Sequence, residues 1–502
     1  MTSEEFLDLV KSGQTVREAD LTGAILEKAI LNNGCLPGCD FSKARMMGAE
    51  LRGADLAGSR FQGADLRYSD LRGAKAAGVS FSGALMSHAQ MDGADLEGAD
   101  FTGVELAKAT FTGARLSKAR WDNTTLNDVD FSKAASLDGA SFAESDCDSV
   151  LFSGIVCGGL IFRDAHLRLV SFLGSKINGA DFTGCRFSRV TLDRSTVPAT
   201  SFRELKAVNS SFREAVLEKA DLMAAAFENS DLTRTRLISA NLQKATANRY
   251  SILKEIVLDG SNLQGALLDH VDLTGASLKG AALCGASLRE AILAGSDLEG
   301  ADLASVAIDG ASFAGANLKG VTLPPEFFSG KGVVLDGANF EGISVEGGLF
   351  SGVRWEDVHL AGARLRKADF RGAKLARSSF ARSDLTGSDF SDADLTGVDF
   401  SGADLSKASF VKANLSRAKL TSARLEGADL RTAVLAGANL SDASLAGAQA
   451  RWEDLRKAHF GPESLVGVVL HGAIVGLPQK NLPSVVEVKK NLAEMLFKIK
   501  GS

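Results

Sequence analysis

The sequence is poor in the residue types that build reactive sites. Its six histidines, His88, His166, His270, His359, His459 and His471, are scattered through 502 residues, and none stands four positions from another. That excludes the helical spacing of a metal pair and leaves no histidine grouped with a nucleophile. The six cysteines, Cys35, Cys39, Cys147, Cys157, Cys185 and Cys284, form no paired framework, so a disulfide scaffold is not expected and a reducing compartment fits. Gly330-Lys331 is followed by Gly332 and lacks the spacing and hydroxyl residue of a phosphate loop. No metal, cofactor or catalytic residue is expected. With 56 Lys and Arg against 62 Asp and Glu, the net charge of −6 gives no basic footprint for nucleic acid. There is no run of 18 apolar residues and no cationic leader before an apolar segment, so neither a membrane span nor a signal peptide is expected, and the expected location is cytoplasmic.

What is present is a period. In SDFSDADLTGVDFSGADL, residues 388–405, the apolar residues Phe390, Leu395, Phe400 and Leu405 recur every five positions. Neither a strand, with period 2, nor a helix, with period 3.6, sustains that spacing, so the chain must turn after each short extended piece. Ser388, Ala393, Val398 and Ala403, two before each centre, are all small and share its side of the chain. Each unit therefore points one small and one larger apolar residue inward. Phe41, Phe61, Phe81, Phe101 and Trp121 are spaced by twenty, and after a one-residue slip Phe142, Phe162, Phe182 and Phe202 continue the rhythm. Phe350, Phe370, Phe390 and Phe410 form a second series. Coils of four five-residue sides, stacked so that rings overlie rings, produce this spacing.

The units Ala19-Asp20-Leu21, Ala54-Asp55-Leu56, Ala64-Asp65-Leu66, Ala301-Asp302-Leu303, Ala403-Asp404-Leu405 and Ala428-Asp429-Leu430 resemble the A(D/N)LXX motif of the pentapeptide-repeat family. The resemblance implies an all-β solenoid, a right-handed quadrilateral β-helix. At about 4.8 Å per coil, roughly 90 units give about 22 four-sided coils and a rod on the order of 105 Å. Cys39, Cys147, Cys157 and Cys185 fall at inward positions and read as packing residues.

Departures from the period mark the boundaries. In residues 1–14, Thr2 and Glu5 have the form of a capping box, Phe6, Leu7, Leu9 and Val10 can share a helical face, and Gly13 is a stop, so a short helix is expected over the first open coil. The repeat is expected over 15–323, with one-residue slips near 137–140 and 253–257, and again over 335–478. Between them, 324–334 reads as a bulge or a candidate interaction loop carrying Pro324, Pro325, Phe327, Phe328 and Lys331. If Phe328 takes a core position, only Phe327 remains outside. Residues 142–212 place larger residues at the small position, and a wider or distorted shaft is expected there. In 483–502, Ser484 and Glu487 repeat the capping-box form, while Val485, Val488, Leu492, Met495 and Ile499 follow a 3-4-3-4 spacing. This is either a helix that caps the last coil or a homodimer contact.

Outward residues read as vertical columns. Residues 364–382 carry Arg364, Arg366, Lys367, Arg371, Lys374, Arg377 and Arg382 against one acid, Asp369, and the next coil is rich in aspartate. In a twenty-residue register Arg364 lies over Asp384 and Lys374 over Asp394, so the blocks read as attraction between coils; the alternative is a basic band for an acidic partner. Down the first segment, Asp20, Asp40, Arg60, Ser80, Asp100 and Arg120 mix signs, as do Cys35, Asp55, Lys75, Asp95, Arg115 and Ala135. A mimic of duplex DNA needs a sustained negative face. The reading is a non-catalytic protein-interaction scaffold with a protein partner of unknown identity and no direct contact with nucleic acid or membrane. The resemblance implies bacterial settings, among them accessory or chaperone-like proteins of type VI secretion. Its alternatives are a DNA mimic that binds gyrase and protects against topoisomerase poisons, and a secreted bacterial effector.

Overall fold

The computed structural model describes residues 1–323, 327–328, 331–459 and 469–471. They belong to two compact units, Met1–Ala291 and Ile292–Ser502. Each unit is a four-sided parallel β-solenoid.

The stretch from Ser388 to Leu405, in the second unit, shows why five residues complete a side. The Phe390 N–H donates to the Ser409 carbonyl one coil ahead (2.8 Å), and the Asp389 N–H donates to the Ala368 carbonyl one coil behind (2.9 Å). The Ala393 N–H then folds back to the Phe390 carbonyl (3.1 Å), closing a β-turn. Its third residue, Asp392, has φ 60°, and the next side turns at Gly397 with φ 68°. Positive φ at that position is the type II signature. Extended pairing thus occupies two residues per side, and the turn consumes the rest. The backbone bridges step by twenty, as in Asp369↔Asp389↔Ser409↔Asp429.

The inward positions form the core. Phe390, Leu395, Phe400 and Leu405 are fully buried, together with Ser388, Ala393, Val398 and Ala403. In the first unit the rings of Phe41, Phe61, Phe81, Phe101 and Trp121 stack with centroids 4.9, 5.2, 5.1 and 4.0 Å apart. A second column, Phe111, Phe131, Phe152 and Phe172, stacks at 5.2, 5.1 and 5.0 Å. It meets the first edge to face, as between Phe142 and Phe152 at 5.4 Å and 84°. Such pairs add about 0.5–1.5 kcal/mol each beyond the area they bury.

Helix α1, Ser3–Lys11, covers the start of the first unit, with Thr2 and Glu5 closing a reciprocal capping box. Its buried Phe6 sets its ring edge against Phe41 at 5.8 Å. The bridges then lengthen into short strands: β1 (Glu105–Ala107), β2 (Thr125–Asn127), β3 (Asp146–Asp148), β4 (Val156–Gly158), β5 (His166–Arg168), β6 (Lys176–Asn178), β7 (Arg186–Ser188), β8 (Lys206–Val208), β9 (Ala226–Glu228) and β10 (Thr246–Ala247). Eight of them form one parallel sheet in the order β1-β2-β3-β5-β7-β8-β9-β10, while β4 pairs with β6 on another side.

Residues 142–212, expected to form a wider or distorted shaft, are not distorted in register: they carry the fullest strand pairing, from β3 to β8. The larger residues at the small position, Val150, Leu160 and Leu205, are fully buried. The crossed aromatic columns provide a close-packed interior that accepts them.

Both one-residue slips lie earlier than expected. The first falls between Phe131 and Leu137, because Arg115 bridges Ser136 and Asp130 bridges Leu151, each a step of 21. Ser136 is therefore an outward bridge residue, and it replaces Ala135 in the Cys35 column; Leu137 is the buried centre. The second falls at 248–250: Ile252 is 41% exposed, and the buried centre is its neighbour Leu253. In both places an apolar or small residue adjoins the true centre and lets the old frame run on for one unit too many. The two-residue excess between Leu323 and Leu335 is present, since Ser312 bridges Val334.

In the second unit, β11 (Gln449–Arg451) pairs in parallel with β12 (Val469–His471), and a four-residue helix, α2 (Trp452–Leu455), follows β11 directly. The period predicts a plain side there. Residues 483–502, including Val485, Val488, Leu492, Met495 and Ile499, lie outside the described residues.

Candidate interaction surfaces

The aspartate of the repeat has a local duty. Asp389, Asp394, Asp399 and Asp404 each accept, through Oδ1, the backbone N–H two residues on, at 2.9, 3.1, 2.9 and 3.0 Å. These are Asx turns that satisfy a donor at the corner. Asp394 also accepts from the Thr396 hydroxyl (2.6 Å), and Asn414 Nδ2 approaches it at 3.5 Å. Its backbone bridges Lys374 as the register requires, but the two side chains form no ion pair. The acidic run is thus spent largely on turns.

Charge pairing within the basic coil follows a diagonal. Arg366 Nε reaches Asp384 Oδ2 at 2.6 Å, eighteen residues on, whereas Arg364, whose backbone bridges Asp384, forms no ion pair among the described residues. Arg371 binds Asp369 through Nε and Nη2 at 2.9 and 2.7 Å. Arg377 reaches back one coil to Asp357 (3.0 and 2.9 Å) and Glu356 (2.7 Å). The Arg377 guanidinium holds the Asp357 carboxyl below its ordinary range, and Arg371 does the same for Asp369. Asp384 is pulled up by burial, but its bonds from Arg366 and Thr386 outweigh this and leave it lowered.

The other four cations, Arg364, Lys367, Lys374 and Arg382, are exposed and form no ion pair among the described residues. Lys367 (φ 55°) and Arg382 (φ 58°) sit at turn corners. Each runs its stem over a glycine corner of the next coil: a Cβ at Gly387 would lie 3.8 Å from Lys367 Cγ, and one at Gly402 would lie 3.4 Å from Arg382 Cγ. The stems are supported while the charged heads face water.

In the stretch read as either a bulge or an interaction loop, both aromatic rings are internal, including Phe327, which the bulge reading left outside. Phe327 is 3% exposed and Phe328 8%. Phe328 packs on Phe350 (4.8 Å), Trp355 (5.2 Å) and Phe340 (5.6 Å), and Phe327 packs on Phe313 (5.7 Å). The core takes both rings, since two extra residues give the coil enough length to turn both inward. Lys331 is exposed, and its backbone N–H donates to Asp309 Oδ1 at 3.1 Å; Pro324 and Pro325 lie outside the described residues.

Cys39, Cys147, Cys157 and Cys185 are buried thiols. Burial pushes Cys147 and Cys157 up to about 12 and raises Cys39 and Cys185 as well. The described residues contain no group of three or more potential metal ligands and no helix long and apolar enough to cross a membrane.

The sequence profile of the family Pentapeptide repeats (8 copies) matches eleven segments, at 12–42, 44–83, 64–103, 105–146, 151–189, 210–249, 251–289, 285–320, 363–402, 399–437 and 423–461. No curated protein matches the chain. Among solved structures, QnrB1, a plasmid-mediated fluoroquinolone resistance protein, is 22% identical over 36% of this chain and 89% of its own, with a TM-score of 0.31. A pentapeptide repeat protein of the Arabidopsis thaliana thylakoid lumen is 35% identical over 21% of this chain and 69% of its own, with a TM-score of 0.19. HetL of Nostoc sp. strain PCC 7120, involved in heterocyst differentiation regulation, is 20% identical over 68% of this chain and 96% of its own, with a TM-score of 0.11.

Proposed function

We propose that this chain, which belongs to the pentapeptide-repeat family, is a non-catalytic scaffold that holds an acidic protein partner on the basic band between Arg364 and Arg382. The observation that carries this reading is the set Arg364, Lys367 and Arg382, exposed on one side of the coil and its two corners and outside the ion pairs that neutralise Arg366, Arg371 and Arg377; Lys374 lies two sides away. Exposed cations attract a partner over about 8 Å at physiological salt, so capture should weaken as salt rises. The test is affinity capture from the source organism with wild type and with Lys367→Glu/Arg382→Glu. Loss of an acidic partner from the variant, at unchanged thermal stability, supports the reading; an unchanged set of captured proteins overturns it.

An accessory role in type VI secretion would be one form of such a scaffold. The alternative, protection of gyrase by imitation of DNA, needs a continuous acidic face, which the columns Asp20↔Asp40↔Arg60 and Asp55↔Lys75↔Asp95 do not supply. Inhibition of gyrase supercoiling by the purified protein would revive it. Homodimerisation through Val485, Val488, Leu492, Met495 and Ile499 is a further proposal from their spacing. Sedimentation of the chain with and without the residues after Leu482 tests it, and a monomer in both cases removes it.

A further inference from the structure

The second register slip leaves a cleft in the first unit. Ala247 pairs with Phe227 across β9 and β10 and puts a methyl group at an inward centre that Phe227 and Leu268 fill in the adjoining coils. Strand β10 stops after two residues, where β8 and β9 have three. A cleft of about 390 Å³ opens there, lined by Phe227, Ala247 and the half-exposed Leu267 and flanked by Glu228, Asn248 and Asp269. This is within the range of about 300–1,000 Å³ typical of ligand sites.

The corner beside it is built. Asn248 Oδ1 accepts from the N–H groups of Asn229 (3.0 Å) and Tyr250 (3.2 Å) and from the Ser251 hydroxyl (3.0 Å). Its Nδ2 donates to Asn229 Oδ1 at 3.1 Å. The two carboxylates of the rim have no cation: neither Glu228 nor Asp269 forms an ion pair among the described residues. Asp269 Oδ1 serves the Ser287 hydroxyl (2.5 Å) and the Arg289 N–H (2.9 Å). Arg249, on the same corner, lies over the Tyr250 ring, 4.7 Å from its centroid. Two negative charges therefore border an apolar floor.

We propose that this cleft receives an arginine or lysine side chain of a protein partner. The aliphatic stem lies on Phe227, Ala247 and Leu267, and the cation faces Glu228 and Asp269. The site is opposite in sign to the basic band and belongs to the other unit, so it stands or falls separately.

The test is fluorescence anisotropy of the full chain with fluorescein-labelled Gly-Arg-Gly and Gly-Lys-Gly, with Gly-Glu-Gly as the control peptide and N-ethylguanidinium as competitor. Glu228→Gln/Asp269→Asn removes the charge while keeping an oxygen to cap Arg289, and Ala247→Leu fills the floor with the usual centre residue. Binding of the basic peptides is expected, weakened about tenfold or more by the charge-removing pair, since a lost charged hydrogen bond costs at least that factor, weakened also by Ala247→Leu, which occupies the floor, and unchanged by Arg382→Glu. Equal affinity in the variants, absence of binding at millimolar peptide, or binding of N-ethylguanidinium without the peptides would each overturn it. Thermal melts establish that the variants are folded.

Discussion

Phe350 lays its ring where Gly348 carries no side chain: a Cβ on Gly348 would lie 2.4 Å from Phe350 Cε2 and Cζ. Gly348 is a buried small-position residue, and the ring it admits is held by Phe328, Trp355 and Phe370 at 4.8, 5.2 and 4.7 Å. The ring cannot retreat without disturbing the aromatic cluster that takes in Phe328. Gly348→Ala should therefore destabilise the second unit by about 1–3 kcal/mol, the cost of overpacking a close-packed core. Chemical denaturation measures this, and a neutral result would mean that the cluster is loose.

Asp70 sits between two guanidinium groups. Arg72 donates to it at 2.9 and 2.7 Å, and Arg52 reaches its other flank. The bonds from Arg72, then Arg52, hold its carboxyl at about 2, below the ordinary value of 3.8. A group depressed in the folded state stabilises above its unfolded pKa and loses that contribution as pH falls through the folded one. The stability gap between wild type and Asp70→Asn should be constant above pH 5 and shrink from about pH 4 toward pH 2. Melting curves across that range decide it, and a gap independent of pH would contradict the pairing.

The six thiols should separate under alkylation. Cys35 and Cys284 are partly exposed, whereas Cys147, held up to about 12 by burial, and Cys185, raised by the same cause, present little thiolate near neutral pH. Peptide mapping after brief iodoacetamide treatment of the native protein at pH 8 should find label on Cys35 and Cys284 first. Early label on Cys147 or Cys185 would show that the shaft opens.

The turn corners make a backbone prediction. Gly372 has φ 64°, and a Cβ added to it would meet nothing within 4 Å, so a substitution there carries only torsional cost. Gly372→Ala should cost about 1–2 kcal/mol, and Gly372→Val more, because a β-branched residue tolerates positive φ poorly. Gly372→Asn should be milder than either. Equal losses for all three would point to packing instead of torsion.

The core was legible because inward selection is strict: Phe390, Leu395, Phe400 and Leu405 repeat without exception over that coil. Slips were harder to place, since Ile252 beside Leu253 satisfies a frame read from hydropathy, and the small Ser136 beside Leu137 lets the earlier frame run on. The turn type was visible in principle, in glycines such as Gly53, Gly63, Gly73 and Gly83 two residues after each centre. Lysine, asparagine and aspartate occupy the same corner elsewhere and hide it. The fate of the outer charges was least legible. Register fixed which backbone faced which, but the long side chain of Arg366 leans to the diagonal, and Asp394 turns to its own corner.

Because each side away from the slips and the insertion bonds to the side twenty residues away, the coil is also a unit of inheritance. Excising residues 44–63 would join Lys43 to Ala64 and bring Asp65 opposite Ile25, in the place Arg45 now holds. The other three columns would close in the same way, Ile30 on Asp70, Cys35 on Lys75 and Asp40 on Ser80. Lengths that differ by whole coils are thus neighbours in sequence space, whereas a change of one residue, as at 248–250, must be absorbed by a corner that can never again be exchanged for its neighbour.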